Sequence, residues 1–92
     1  MTAFALEALR ATQATTSPGS SSRTDRAYLR LIGLRVRVLR TACRLSQDQF
    51  AALAGLDRTY VSRLERGQHN LTVLTLTRLA TALNVNPQEL LP

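Results

Sequence analysis

An all-α fold is predicted by three features of the chain. Apolar residues recur at alternating steps of three and four through residues 29–43. Helix-capping residues stand ahead of four further segments, and a corner of small residues, Ala51 and Gly55, joins two short helical stretches. Five helices are expected.

Helix 1 should begin near Asp25 or Arg26 and turn Leu29, Ile32, Val36, Leu39 and Cys43 inward, with Arg30, Arg35, Arg37, Arg40 and Arg44 on its flanks. Ser46 then caps helix 2, and Gln49 three residues later completes a capping box. Gln47 opens that helix. Ala51 follows four residues on, where two axes cross too closely for a larger side chain. Gly55, four further, can take the positive φ that ends helix 2 and turns the chain. Asp57 is expected to cap helix 3 as Ser46 caps helix 2, and Gly67 to end it. Val61 and Leu64 should point back onto Phe50, Leu53 and Ala54. Thr72 caps helix 4, whose inward stripe is Val73, Leu76, Leu79, Ala80 and Leu83. Asn86, Pro87 and Glu89 spell the start of helix 5: a cap, a first-turn proline and a returning carboxylate.

The 92 residues allow one domain. Residues 1–25 read as a flexible, disordered arm and residues 26–92 as the folded unit. The run T-T-S-P-G-S-S-S-R-T is linker chemistry, broken by Pro18 and Gly19. Phe4, Leu6 and Leu9 ahead of it form a stretch too short to hold a helix alone. A core this small sits near the lower limit of independent stability. Val85, Leu90 and Leu91 are therefore candidates for a homodimer interface, or else cover the domain's own core.

Twelve arginines, no lysine and six acids give a net charge of +6. Within residues 1–25, Arg10 and Arg23 offset Glu7 and Asp25, so the excess belongs to the folded unit. That charge suits a polyanion, and arginine grips phosphate or guanine edges bidentately where lysine does not. Cys43 and His69 each stand alone, which excludes an internal disulfide and gives no metal-ligand spacing. They read as a small helix residue and a polar loop residue. A reducing cytoplasm is the natural setting. Neither a membrane span nor a secretory signal is evident. No Cys-His pair, carboxylate cluster or glycine-rich phosphate loop supports an enzyme, a cofactor or a small-molecule ligand.

Residues 46–67, S-Q-D-Q-F-A-A-L-A-G-L-D-R-T-Y-V-S-R-L-E-R-G, describe two helices meeting at a tight corner. An ordinary helical hairpin would share that corner. The exposed side of helix 3 separates the two readings, because it is polar and cationic, with no acid before Glu65. This is the plan of a helix-turn-helix that lays its second helix in the major groove of double-stranded DNA. Arg58, Thr59, Ser62 and Arg63 are the candidate base contacts. Ser46, Gln47, Tyr60, Arg66, Gln68 and Asn70 are the candidate phosphate contacts. For Tyr60, packing under the helix 3 corner is the alternative role.

The segments L-S-Q-D-Q-F-A-A-L-A-G-L, V-S-R-L-E-R-G and T-V-L-T-L-T-R-L-A-T-A-L-N-V resemble the Cro/C1-type (XRE-like) helix-turn-helix family. Within it, L-D-R-T-Y-V-S-x-L-E-R-G-x-x-N-L-T looks most like the controller proteins of restriction-modification systems. The resemblance implies a five-helix, lambda-repressor-like domain acting as a transcriptional regulator, bound as a homodimer to an inverted repeat. It also implies that Glu65 pairs with Arg40; the alternative is a solvated Glu65 that repels phosphate. Two departures stand out. Residues 1–25 are foreign to typical controllers, and Arg63 takes a position where they often carry a small or acidic residue. A second reading is an antitoxin-type interaction partner that autoregulates through the same motif, with the arm as its neutralising segment.

Overall fold

The computed structural model describes residues 21–92. Four α-helices follow in order: α1 Ser21–Ala42, α2 Gln47–Ala54, α3 Arg58–Glu65 and α4 Val73–Leu83. A 3-10 turn, Pro87–Leu90, follows α4. The expectations placed on residues 1–20, the arm with Phe4, Leu6 and Leu9 and its neutralising role, lie outside the described residues. Residues 21–25, assigned to the arm, are instead the first turns of α1. Helix propagation costs little once a packed segment nucleates it, so composition alone places such a start poorly.

The helices close on one core. Ile32 and Val36 of α1, Phe50, Ala51 and Ala54 of α2, Val61 and Leu64 of α3, and Leu79, Ala80 and Leu83 of α4 are all buried in it. Three expected core residues are not. On α2, Phe50, Ala51 and Ala54 share one side, and Leu53 falls on the other, 62% exposed. Val73 opens α4 one turn before the helix reaches the core and is 81% exposed. Cys43 lies beyond the end of α1, where the backbone reverses, and is exposed.

Each helix ends by the same device. A residue with positive φ follows it: Arg44 (58°), Gly55 (70°), Gly67 (74°) and Asn84 (58°). The next amide then donates back to a carbonyl five residues earlier: Leu45 to Arg40 (3.2 Å), Leu56 to Ala51 (2.9 Å), Gln68 to Arg63 (2.9 Å) and Val85 to Ala80 (3.0 Å). These bonds occupy carbonyls that a helix end would otherwise leave open.

At the starts, Ser46 and Gln49 form the expected capping box. The Gln49 amide donates to Ser46 Oγ at 3.0 Å, and the Ser46 amide to Gln49 Oε1 at 2.8 Å. Thr72 Oγ1 accepts the Thr75 amide at 3.1 Å. Asp57 departs from expectation: it stands at the cap in extended geometry, but its side chain makes no capping bond. The expected fifth helix is a single 3-10 turn. Glu89 Oε2 accepts the Asn86 amide at 2.8 Å, as its spacing predicts. Leu91 then turns extended, with φ −91° and ψ 140°, and the turn closes without continuing into an α-helix. Arg35 ties the turn to α1 by donating to the Glu89 carbonyl at 3.0 Å.

Leu90 has no accessible surface in the single chain and belongs to its own core. Val85 is half-buried against that core, and Leu91 is exposed.

One contact was not foreseen. Gly33 of α1 is buried where the end of α3 crosses it. A Cβ there would strike the Leu64 carbonyl oxygen and come within 2.8 Å of that of Glu65. Gly67 is pressed on Arg30 in the same way, 2.7 Å from a would-be Cβ to Arg30 Cγ. Residues 30–33 of α1 thus form a saddle for the end of α3. Among the described residues, no helix is long and apolar enough to cross a membrane.

Candidate nucleic-acid interface

Val61 and Leu64 fix α3 by their burial. At about 100° per residue, Arg58, Ser62, Arg66, Thr59 and Arg63 then fall within an arc of roughly 140° on the opposite side. Arg58, Thr59, Arg63 and Arg66 are exposed and Ser62 is half-buried. Arg58, Thr59 and Ser62 line a shallow recess of about 220 Å³. All four candidate base contacts are therefore on one accessible surface. Arg58 Nε lies 3.6 Å from Asp48 Oδ1, and both side chains are mostly exposed. A pair of that kind contributes little and is readily exchanged for another anion.

Behind this surface lies a nearly buried ionic node. Arg40 Nε and Nη2 donate to Glu65 Oε2 at 2.6 Å and Oε1 at 3.0 Å, and the two side chains are 11% and 4% exposed. Arg40 Nη1 also donates to the Leu45 carbonyl at 2.8 Å. The Gln47 side-chain amide donates to Glu65 Oε1 at 3.1 Å. One carboxylate thereby joins α1, the start of α2 and the end of α3. The arginine–glutamate pair implied by resemblance is present, and the shares of Leu45 and Gln47 are additions to it. Glu65 is neutralised from within and presents no free acid beside the cationic arc.

The candidate phosphate contacts are less uniform. The Gln47 side chain is committed to Glu65, so its opening toward an anion is the backbone amide at the start of α2. Ser46 Oγ is engaged in its cap. Tyr60 is half-buried, its ring stacked on His69 at 4.7 Å between centroids and 21° between planes. Its hydroxyl approaches the Asn70 carbonyl at 3.5 Å, the long limit for such a bond. The Tyr60 ring therefore packs, and His69 is its partner rather than an incidental loop residue. Arg66, Gln68 and Asn70 are exposed around the turn that follows α3. A second, apolar groove of about 540 Å³ adjoins Asn70 and is lined by residues that include Tyr28, Leu29, Ile32, Leu76 and Leu91.

The HTH_3 helix-turn-helix family matches residues 36–90, more than half of the chain. The chain belongs to that family. As a member of this Cro/C1-type class it is a DNA-binding transcriptional regulator and not an enzyme. Among solved structures, this HTH_3 chain is similar to the restriction-modification controller protein C.AhdI from Aeromonas hydrophila. The two share 52% identity at a TM-score of 0.66, over 67% of this chain and 94% of that one. Control protein C.SmaI of Serratia marcescens is 43% identical over 61 residues, 66% of this chain and 73% of its own. The DNA-binding domain of the P22 C2 repressor superposes at a TM-score of 0.64, with 27% identity, over 65% of this chain and 79% of that one. The fold is accordingly that of a phage repressor domain, built among the described residues from four helices and a 3-10 turn.

Proposed function

We propose that this HTH_3 protein is a sequence-specific regulator of the restriction-modification controller type, acting as a homodimer on an inverted-repeat operator. The observation that carries the reading is the acid-free outer arc of α3, backed by a node that takes its only carboxylate out of play. The similarity to two control proteins supports the narrower class. In this reading Arg58 and Arg63 bridge guanine O6 and N7, while Thr59 and Ser62 meet neighbouring base edges. Arg66, Gln68, Asn70, Ser46 and the Gln47 amide hold phosphates and set register without reading sequence. Tyr60 contributes by bracing the turn after α3. The half-sites stand about one helical turn, roughly 34 Å, apart. Leu91 and Val85 keep accessible surface for the contact between the two copies.

Selection of bound duplexes from a random pool tests this directly. An inverted repeat with one dominant half-site should emerge. Arg58→Ala or Arg63→Ala should then weaken that site by about 1–3 kcal/mol and relax one base position. Recovery of unrelated duplexes, or variants that bind the selected site as well as the parent, would count against the assignment.

A further inference from the structure

The outer side of α1 carries a second apolar seam that the fold leaves uncovered. Thr24, Ala27, Leu31, Leu34, Val38 and Thr41 recur at steps of three, four, three, four and three, the heptad spacing of a helix–helix seam. All six are exposed, and Leu31, Leu34 and Val38 are 49%, 56% and 56% accessible. They face away from Ile32 and Val36, which serve the core. Most of the seam precedes the family match at residues 36–90. Its length, about 27 Å at 1.5 Å per residue, suits an ordinary partner helix.

Charge decides the occupant. The position before each leading seam residue is arginine: Arg23, Arg30 and Arg37. Among the described residues none of these three lies within ion-pair distance of a carboxylate. On the other flank stand Tyr28 and Arg35, and neither flank holds an acid. A second copy paired in parallel would set Arg30 against Arg35, and one paired antiparallel would set arginine against arginine; both repel. The chain's own residues 1–20 carry one glutamate and one arginine and cannot answer such a row. Nucleic acid could answer the arginines but has no use for the leucine seam between them. We infer that this face of α1 docks an acidic amphipathic helix of another protein, with an apolar heptad seam flanked by aspartate or glutamate.

The test uses the full chain and two synthetic three-heptad peptides with leucine in the seam and either glutamate or lysine on the flanks. Fluorescence anisotropy should show saturable binding of the glutamate peptide, weakened by salt, with the lysine peptide at least roughly tenfold weaker. Arg23→Glu/Arg37→Glu should remove that preference, because two glutamates then offset Arg30 and Arg35, and Leu34→Asp should abolish binding. Ala27→Glu, a change on the same exposed seam, serves as the second seam variant, with circular dichroism confirming the fold of each. Duplex affinity should be unchanged in all of them. Absence of binding, or equal binding of both peptides, overturns the inference. So does dissociation of the DNA-free chain by Leu34→Asp, which would assign the seam to a second copy. Loss of duplex affinity in the arginine variant would assign it to nucleic acid.

Discussion

Glu65 shows how much can depend on a single side chain. It is the only acid on α3, and its two oxygens accept from Arg40 and Gln47 in a site nearly closed to water. Removing it leaves the Arg40 guanidinium buried without a counter-charge. Glu65→Ala should therefore cost about 3 kcal/mol of unfolding free energy in a urea titration. Its partner stands 25 positions away, a separation no periodicity can bridge, so family resemblance supplied the pair and spacing did not. Gly33 was illegible for a related reason. Its lack of a side chain answers the backbone of another element, not its own helix. Gly33→Ala should lower stability by about 1–3 kcal/mol through overpacking, visible as a depressed thermal midpoint. His69 takes its place from Tyr60, nine positions earlier, whose ring stacks on it.

Helix boundaries divide by how local their causes are. The Ser46 box and the Thr72 cap were legible because donor and acceptor lie within three residues. Asp57 has the right residue type in the right place, yet its carboxylate makes no capping bond. Leu53 and Val73 were misplaced because periodicity gives the repeat of an apolar face but not where the neighbouring helix meets it. The shared C-terminal device separates two costs. Gly55 has positive φ and open space where a Cβ would stand, whereas Gly67 has positive φ and Arg30 against it. Gly55→Ala should therefore cost about 1 kcal/mol, the backbone preference alone. Gly67→Ala should cost measurably more in the same denaturation assay. Arg44 carries the strain in reverse, holding a left-handed conformation with a side chain. Arg44→Gly should raise stability by roughly 0.5–1 kcal/mol.

Across the molecule, composition spoke plainly about charge and faintly about partners. The +6 balance and the cationic arc of α3 were both visible in the sequence. The face a second copy would use was not, because an exposed leucine carries no mark of what covers it. Leu90 illustrates this: the sequence left interface and core equally open, and packing put it wholly in the core. Affinity for duplex should fall steeply with salt, by about 0.9 in log–log slope for each phosphate neutralised. Arg66→Ala should reduce that slope by roughly one while leaving base preference intact, as competition binding at several salt concentrations would show.

The near-complete enclosure of the Arg40–Glu65 node has a practical corollary. Mobile ions screen exposed charges well and enclosed ones poorly. Raising ionic strength should thus strip the chain from a polyanionic resin without loosening the angle between its two motif helices. Protein eluted in concentrated sodium chloride should come off native, and dilution alone should restore its grip on DNA.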